Sequence, residues 1–86
     1  MAKFIKIWTS DTLVLLLNKD LIESFRICDD AGSADIIIGK YMYTISTDIE
    51  NDNFVVDETS SIPDEINGAT SISRTDLESG EEYIIY

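Results

Sequence analysis

Histidine is absent from the 86-residue chain, which removes the commonest general base and the commonest metal ligand. A Ser-His-Asp or Cys-His catalytic centre therefore cannot be assembled from one copy. Cysteine occurs once, as Cys28, so no internal disulfide forms and a structural zinc site of the cysteine-rich kind is excluded. The place of Cys28 in an alternating segment predicts a small buried side chain rather than a reactive thiol. Gly32, Gly39, Gly68 and Gly80 stand singly, so there is no glycine-rich phosphate loop. Residues 13–17 form an apolar run too short to cross a bilayer. The opening MAKFIKIW has the start of a secretory leader, but Lys6 and Asp11 interrupt its apolar region and no small-residue cleavage site follows. Synthesis in the cytoplasm is the expectation.

Bases are scarce too. Six Lys and Arg face 17 Asp and Glu, for a net charge of -11. The imbalance is lopsided: residues 1–47 carry five bases against six acids, whereas residues 48–86 carry Arg74 alone against eleven acids. One part is near-neutral and the other has a net of -10. Such a field repels phosphate, which disfavours direct contact with nucleic acid or an anionic membrane surface. Solubility, basic partners or divalent cations remain as uses for it.

What is present is hydrophobic at an ordinary level, 44%, which argues against whole-chain disorder. A chain this short makes one domain, residues 1–86, with an expected stability of about 4 to 13 kcal/mol. A partner that binds the folded form would supply a large share of that.

The stretch LVLLLNKDLIESFRIC is expected to sit at the centre of a small sheet, with residues 13–17 as a strand covered on both faces. A turn at Asn18, Lys19 and Asp20 leads to an alternating strand, with Leu21, Glu23, Phe25 and Ile27 on one face. Before it, residues 3–8 form a strand whose Ile5 and Ile7 face the core. After it, residues 34–38 and 41–46 flank Gly39-Lys40, a two-residue hairpin connection in which Tyr41, Tyr43 and Ile45 share a face. Short connections joining five strands predict a mainly β fold: a single small antiparallel sheet curled into a barrel-like meander. Residues 1–47 are its near-neutral β core.

Residues 48–86 read as an acidic, β-leaning C-terminal extension. Phe54, Val55 and Val56 are a short apolar strand in an acidic excursion, and residues 61–68 carry the proline, acids and closing glycine of one helical turn. Residues 69–74 alternate weakly and are expected to be mostly solvated. Tyr83, Ile84, Ile85 and Tyr86 make an apolar edge that either closes the sheet or adds to a neighbouring subunit.

No catalytic group emerges. Adjacent acids such as Asp29-Asp30 and Glu81-Glu82 point to opposite faces of a strand, so they are not dyads. Asp48, Glu50 and Asp52 have the spacing of the first calcium-loop ligands, but Asn53 and Thr59 stand where glycine and glutamate are needed. Trp8, Phe25, Tyr41, Tyr43 and Phe54 could stack on bases, but without a basic surface they read as core. No enzyme activity, metal or cofactor is expected. The contact residues are Phe54, Val55, Val56, Tyr83, Ile84, Ile85 and Tyr86.

Residues 1–7 (MAKFIKI), the leucine-rich strand running into Asp20-Leu21-Ile22, and the hairpin ending in Tyr43-Thr44-Ile45 resemble a group of very short proteins encoded near the capsid genes of tailed phages, including crAss-like phages. The resemblance covers residues 1–7, 13–22 and 36–45; many of those proteins end in a helical segment where this chain is acidic and β-leaning. It implies a virion component, an auxiliary or decoration protein on the capsid exterior, with the major capsid protein or its own copies as partner. An acidic inhibitor imitating nucleic acid to block a host nuclease or repressor is the alternative.

Overall fold

The computed structural model describes residues 3–28, 32–47 and 64–86. Those residues are mainly β, with no α-helix. The strands are β1 (Phe4–Thr9), β2 (Thr12–Asn18), β3 (Ile22–Cys28), β4 (Ser33–Ile38), β5 (Tyr41–Thr47), β6 (Glu65–Ile66), β7 (Ala69–Asp76) and β8 (Glu82–Ile84). They form two sheets rather than one. The order is β2-β1-β6 in the smaller and β3-β4-β5-β7-β8 in the larger, and neither order closes on itself.

The stretch expected at the centre of one sheet instead joins the edges of two. Asn18 ends β2, and its side-chain carbonyl accepts the Asp20 N–H at 2.9 Å. The resulting 3₁₀ turn, Lys19–Leu21, carries the chain from one sheet to the other. β2 is accordingly an edge strand, with Leu17 buried but Leu13 and Leu16 exposed. Cover on both faces is not what its leucines have.

Ile5, Ile7, Leu17 and Ile66 from the smaller sheet meet Ala34, Ile36, Ile45, Ala69 and Ile72 from the larger in one core. Ile5 and Ile7 face it as period-two alternation requires. Each fully buried isoleucine contributes about 1.5 to 3 kcal/mol relative to exposure. Three of the nine core residues, Ile66, Ala69 and Ile72, belong to the acidic part of the chain. The boundary at residue 47 thus marks a change of charge, not of packing.

Two expectations on that side are corrected. Glu65 and Ile66 extend alongside β1 in parallel, with the Lys6 N–H donating to the Asp64 carbonyl at 2.9 Å. This places Ile66 opposite Ile7 inside the core, a burial that one isolated helical turn could not give it. Residues 61–63 lie outside the described residues. β7, expected to be mostly solvated, lies between β5 and β8 and buries Ala69, Ile72 and Ser73.

Bulges explain faces that simple alternation misassigns. A register shift between Ile22 and Ser24 lets Ile22 and Phe25, three apart, both pack against the core. Leu21 is left exposed. A second shift, at Ser46 and Thr47, does the same for Ala69 and Ile72 on β7. Thr47 is held by its hydroxyl, which donates to the Gly32 carbonyl at 2.9 Å, while Gly32 takes a positive φ of 58°. At the β4–β5 hairpin Gly39 has φ +59° and Lys40 does not share it, the pattern of a II′ turn.

Candidate functional site

The end of the larger sheet away from residue 47 carries the most distinctive side-chain arrangement. β5, β7 and β8 are neighbours there, and the register sets Tyr43, Arg74 and Tyr83 side by side on one face. The Arg74 guanidinium lies 4.5 Å from the centre of the Tyr41 ring and 5.3 Å from that of Tyr83. A cation over two rings is attracted by both quadrupoles, each contact giving about 0.5 to 1 kcal/mol at an exposed site. The stack fastens β8 to the two strands inside it. Lys40 also sits over Tyr41, 5.4 Å from its centre.

Tyr41, Arg74, Asp76, Glu81, Glu82 and Tyr83 line an open cleft of about 250 Å³. Three carboxylates against one guanidinium make it negative. Asp76 organises the turn beside it: its Oδ1 accepts the N–H groups of Glu78 at 2.9 Å and Ser79 at 3.2 Å. These two donors hold its carboxyl below the usual carboxylate range, with Lys40 and Arg74 adding to the effect. That is opposite to the raised acid a proton donor at neutral pH requires. Gly80, at φ +78°, closes the turn with its N–H on the Asp76 carbonyl at 2.7 Å.

β8 leaves this turn as the last strand of the larger sheet. The Asp76 N–H donates to Glu81 at 2.8 Å and the Ile85 N–H to Ile72 at 2.9 Å, so 76/81 and 72/85 are bonded pairs. Alternation makes Arg74 and Tyr83 the bonded pair between them. The amides and carbonyls of Glu82 and Ile84 consequently face away from β7, and no strand among the described residues pairs with them. Tyr86 also donates to Ile72, at 3.0 Å, a bulge that blunts the edge at its far end.

Comparison with models of protein families, with curated proteins and with solved structures finds no match.

Of the contact residues expected from the sequence, Tyr83, Ile84, Ile85 and Tyr86 fall at this edge. Tyr83 and Ile84 are 62% and 63% exposed and Tyr86 is exposed as well, whereas Ile85 turns to pack against the core. Phe54, Val55 and Val56 lie outside the described residues, as do the calcium-like spacing at residues 48–59 and the side chain of Cys28. Sequence reading missed Tyr41 and Arg74 as partners of Tyr83. The available signal was that Arg74 is the single base in residues 48–86.

A second exposed apolar surface also went unread. On the outer face of the smaller sheet, Lys6 stands opposite Leu16 and Trp8 opposite Leu13, next to exposed Phe4. Lys19 pairs with Asp64, which lowers the Asp64 carboxyl below its ordinary value through that hydrogen bond and charge. Elsewhere on the larger sheet, Asp35 accepts from Arg26 at 3.1 Å and Thr44 at 3.3 Å, a polar ladder across three strands. Among the described residues no group of His, Cys, Asp and Glu is placed to hold a metal, and no helix is long and apolar enough to cross a membrane.

Proposed function

We propose that the protein acts by surface contact and not by catalysis, as an auxiliary or decoration component bound to the exterior of a tailed-phage capsid. The observation that carries this is the β8 edge: exposed Tyr83, Ile84 and Tyr86 stand beside outward-facing backbone groups. Edge strands of this kind either pair with a partner or are blunted. The sequence resemblance over residues 1–7, 13–22 and 36–45 supports the capsid setting. So does the charge, because a polyanionic surface is repelled by packaged nucleic acid and suits the solvent side. The barrel-like curl belongs to the same reading, as two open sheets around one core leave edges free to dock. The major capsid protein, or further copies of this chain, is the partner.

Charge imitation of nucleic acid is the less favoured use of the acids. Asp35 is engaged by Arg26, Asp64 by Lys19 and Asp76 by its own turn, which leaves fewer free carboxylates to form a phosphate-like row. Mass spectrometry of purified virions tests the proposal: the protein is expected in them at a fixed ratio to the major capsid protein. Virions that lack it would reject the capsid assignment.

A further inference from the structure

We infer that the β8 edge accepts an extended, basic segment of its partner as an added strand. The inference rests on the surface-contact reading and names the chemistry of that contact. Strand addition uses main-chain hydrogen bonds for affinity and alternate side chains for selection. Here the outward N–H and C=O groups are those of Glu82 and Ile84, two residues apart, which matches the spacing at which an incoming strand bonds.

Side chains next to these groups define what fits. Glu82 and Ile84 share the face of the sheet that also bears Thr75 and Ser73, while Tyr83 occupies the other face with Arg74. An incoming strand therefore places one side chain beside Glu82 and another, two residues along, beside the 63%-exposed Ile84. A Lys or Arg at the first and an aliphatic residue at the second complement them. The surroundings reinforce the sign, since Asp76, Glu78, Glu81 and Glu82 occur here with no base between them in the sequence. The cations at this end are engaged elsewhere, Lys40 with Asp76 at 4.0 Å and Arg74 with the Tyr41 and Tyr83 rings.

Neither this chain nor a second copy fits as well. Residues 48–63 contain Asp48, Glu50, Asp52, Asp57 and Glu58 and no base, so they cannot supply a basic strand. Two copies meeting antiparallel at β8 would bring together two surfaces of net negative charge and give Glu82 no base as its neighbour, since residues 82–86 contain none.

The probe is a seven-residue peptide, Thr-Lys-Thr-Val-Thr-Lys-Thr, which sets Lys and Val two apart on one face, compared with the same peptide carrying Glu or Thr at its Lys positions. Binding to the full chain is followed by amide chemical shifts and calorimetry. The Lys peptide is expected to shift Glu82, Tyr83 and Ile84 and to bind more weakly as salt rises. The Glu and Thr peptides are expected to bind at least fivefold more weakly. Ile84→Pro removes an outward donor while the amides of Tyr83 and Ile85 keep their bonds to β7, so it abolishes binding without breaking the internal ladder. Glu82→Lys, which leaves the whole backbone intact, weakens binding about fivefold, the scale of one cross-strand charge pair.

Equal binding to wild type and Ile84→Pro would overturn the inference, because charge alone would then capture the peptide. Equal affinity for the Thr peptide would overturn the requirement for a basic partner. A dimer of the wild type that Ile84→Pro disperses would give the edge to a second copy and overturn it as well. If the peptide fails to bind while the protein is present in virions, the inference falls and the capsid proposal stands.

Discussion

β2 and β7 invert what their compositions suggest. β2, TLVLLLN, is the most hydrophobic of the described strands, yet it lies at a sheet edge and buries Leu17 alone. β7, ATSISRTD, is three-quarters hydroxyl-bearing or charged, yet it is an interior strand with Ile72 entirely enclosed. The difference lies in the neighbours. An interior strand has its backbone paired on both sides whatever its side chains are, and one well-placed isoleucine per face is enough to join the core. A leucine run on an edge strand has a partner on one side only, and its outward leucines meet solvent.

Substitutions at matched positions are the sharpest way to break this contrast. Ile72→Ala removes a fully buried side chain from the polar strand and is expected to cost about 3 kcal/mol, read as a lowered midpoint in urea. A cost below about 1 kcal/mol would mean that β7 is peripheral. Thr47→Val is next. It deletes the buried hydroxyl that bonds Gly32 beside the β7 bulge, and about 1 kcal/mol of stability should go with it.

Leu16→Ala, on the apolar strand, is expected to change stability by about 0.5 kcal/mol or less, because Leu16 is 49% exposed. The smallest effect is local and appears in acid. The Asp76 carboxyl is depressed below its ordinary 3.8 by the Glu78 and Ser79 N–H groups. Its contribution to the β7–β8 turn is thus complete above that ordinary value and is lost as pH falls through the lower folded one. Amide shifts of Glu78 and Ser79 followed from neutral to strongly acid pH should move only at the acid end. Asp76→Asn should remove that movement.

Much of the strand layout was legible in the sequence. Ile5 and Ile7, the Gly39-Lys40 hairpin, and the shared face of Tyr43 and Ile45 follow from two-residue alternation and turn chemistry, which act over a few residues. The division into two sheets was not legible, since Asn18 and the 3₁₀ turn look like any hairpin connection until the partner strands are known. Bulges were hidden too, because Ile22 with Phe25 and Ala69 with Ile72 share faces at a spacing of three. Ile66 was obscured by helix-start signals around it, and only its long-range pairing with Ile7 shows why it is extended. At the candidate site, Tyr83, Ile84, Ile85 and Tyr86 stood out as an apolar edge, and all but Ile85 are exposed there. The Tyr41–Arg74–Tyr83 stack needs three strands in register and has no local signature.

The contact reading requires an open edge mounted on a firm interior strand, and residue-resolved amide hydrogen exchange of the free protein tests both parts at once. The expected pattern has β7 amides exchanging as slowly as those of β5. Over residues 82–85, Tyr83 and Ile85 should be protected, while Glu82 and Ile84 exchange quickly. Rapid exchange throughout β7, or equal protection of all four amides of residues 82–85, would contradict it.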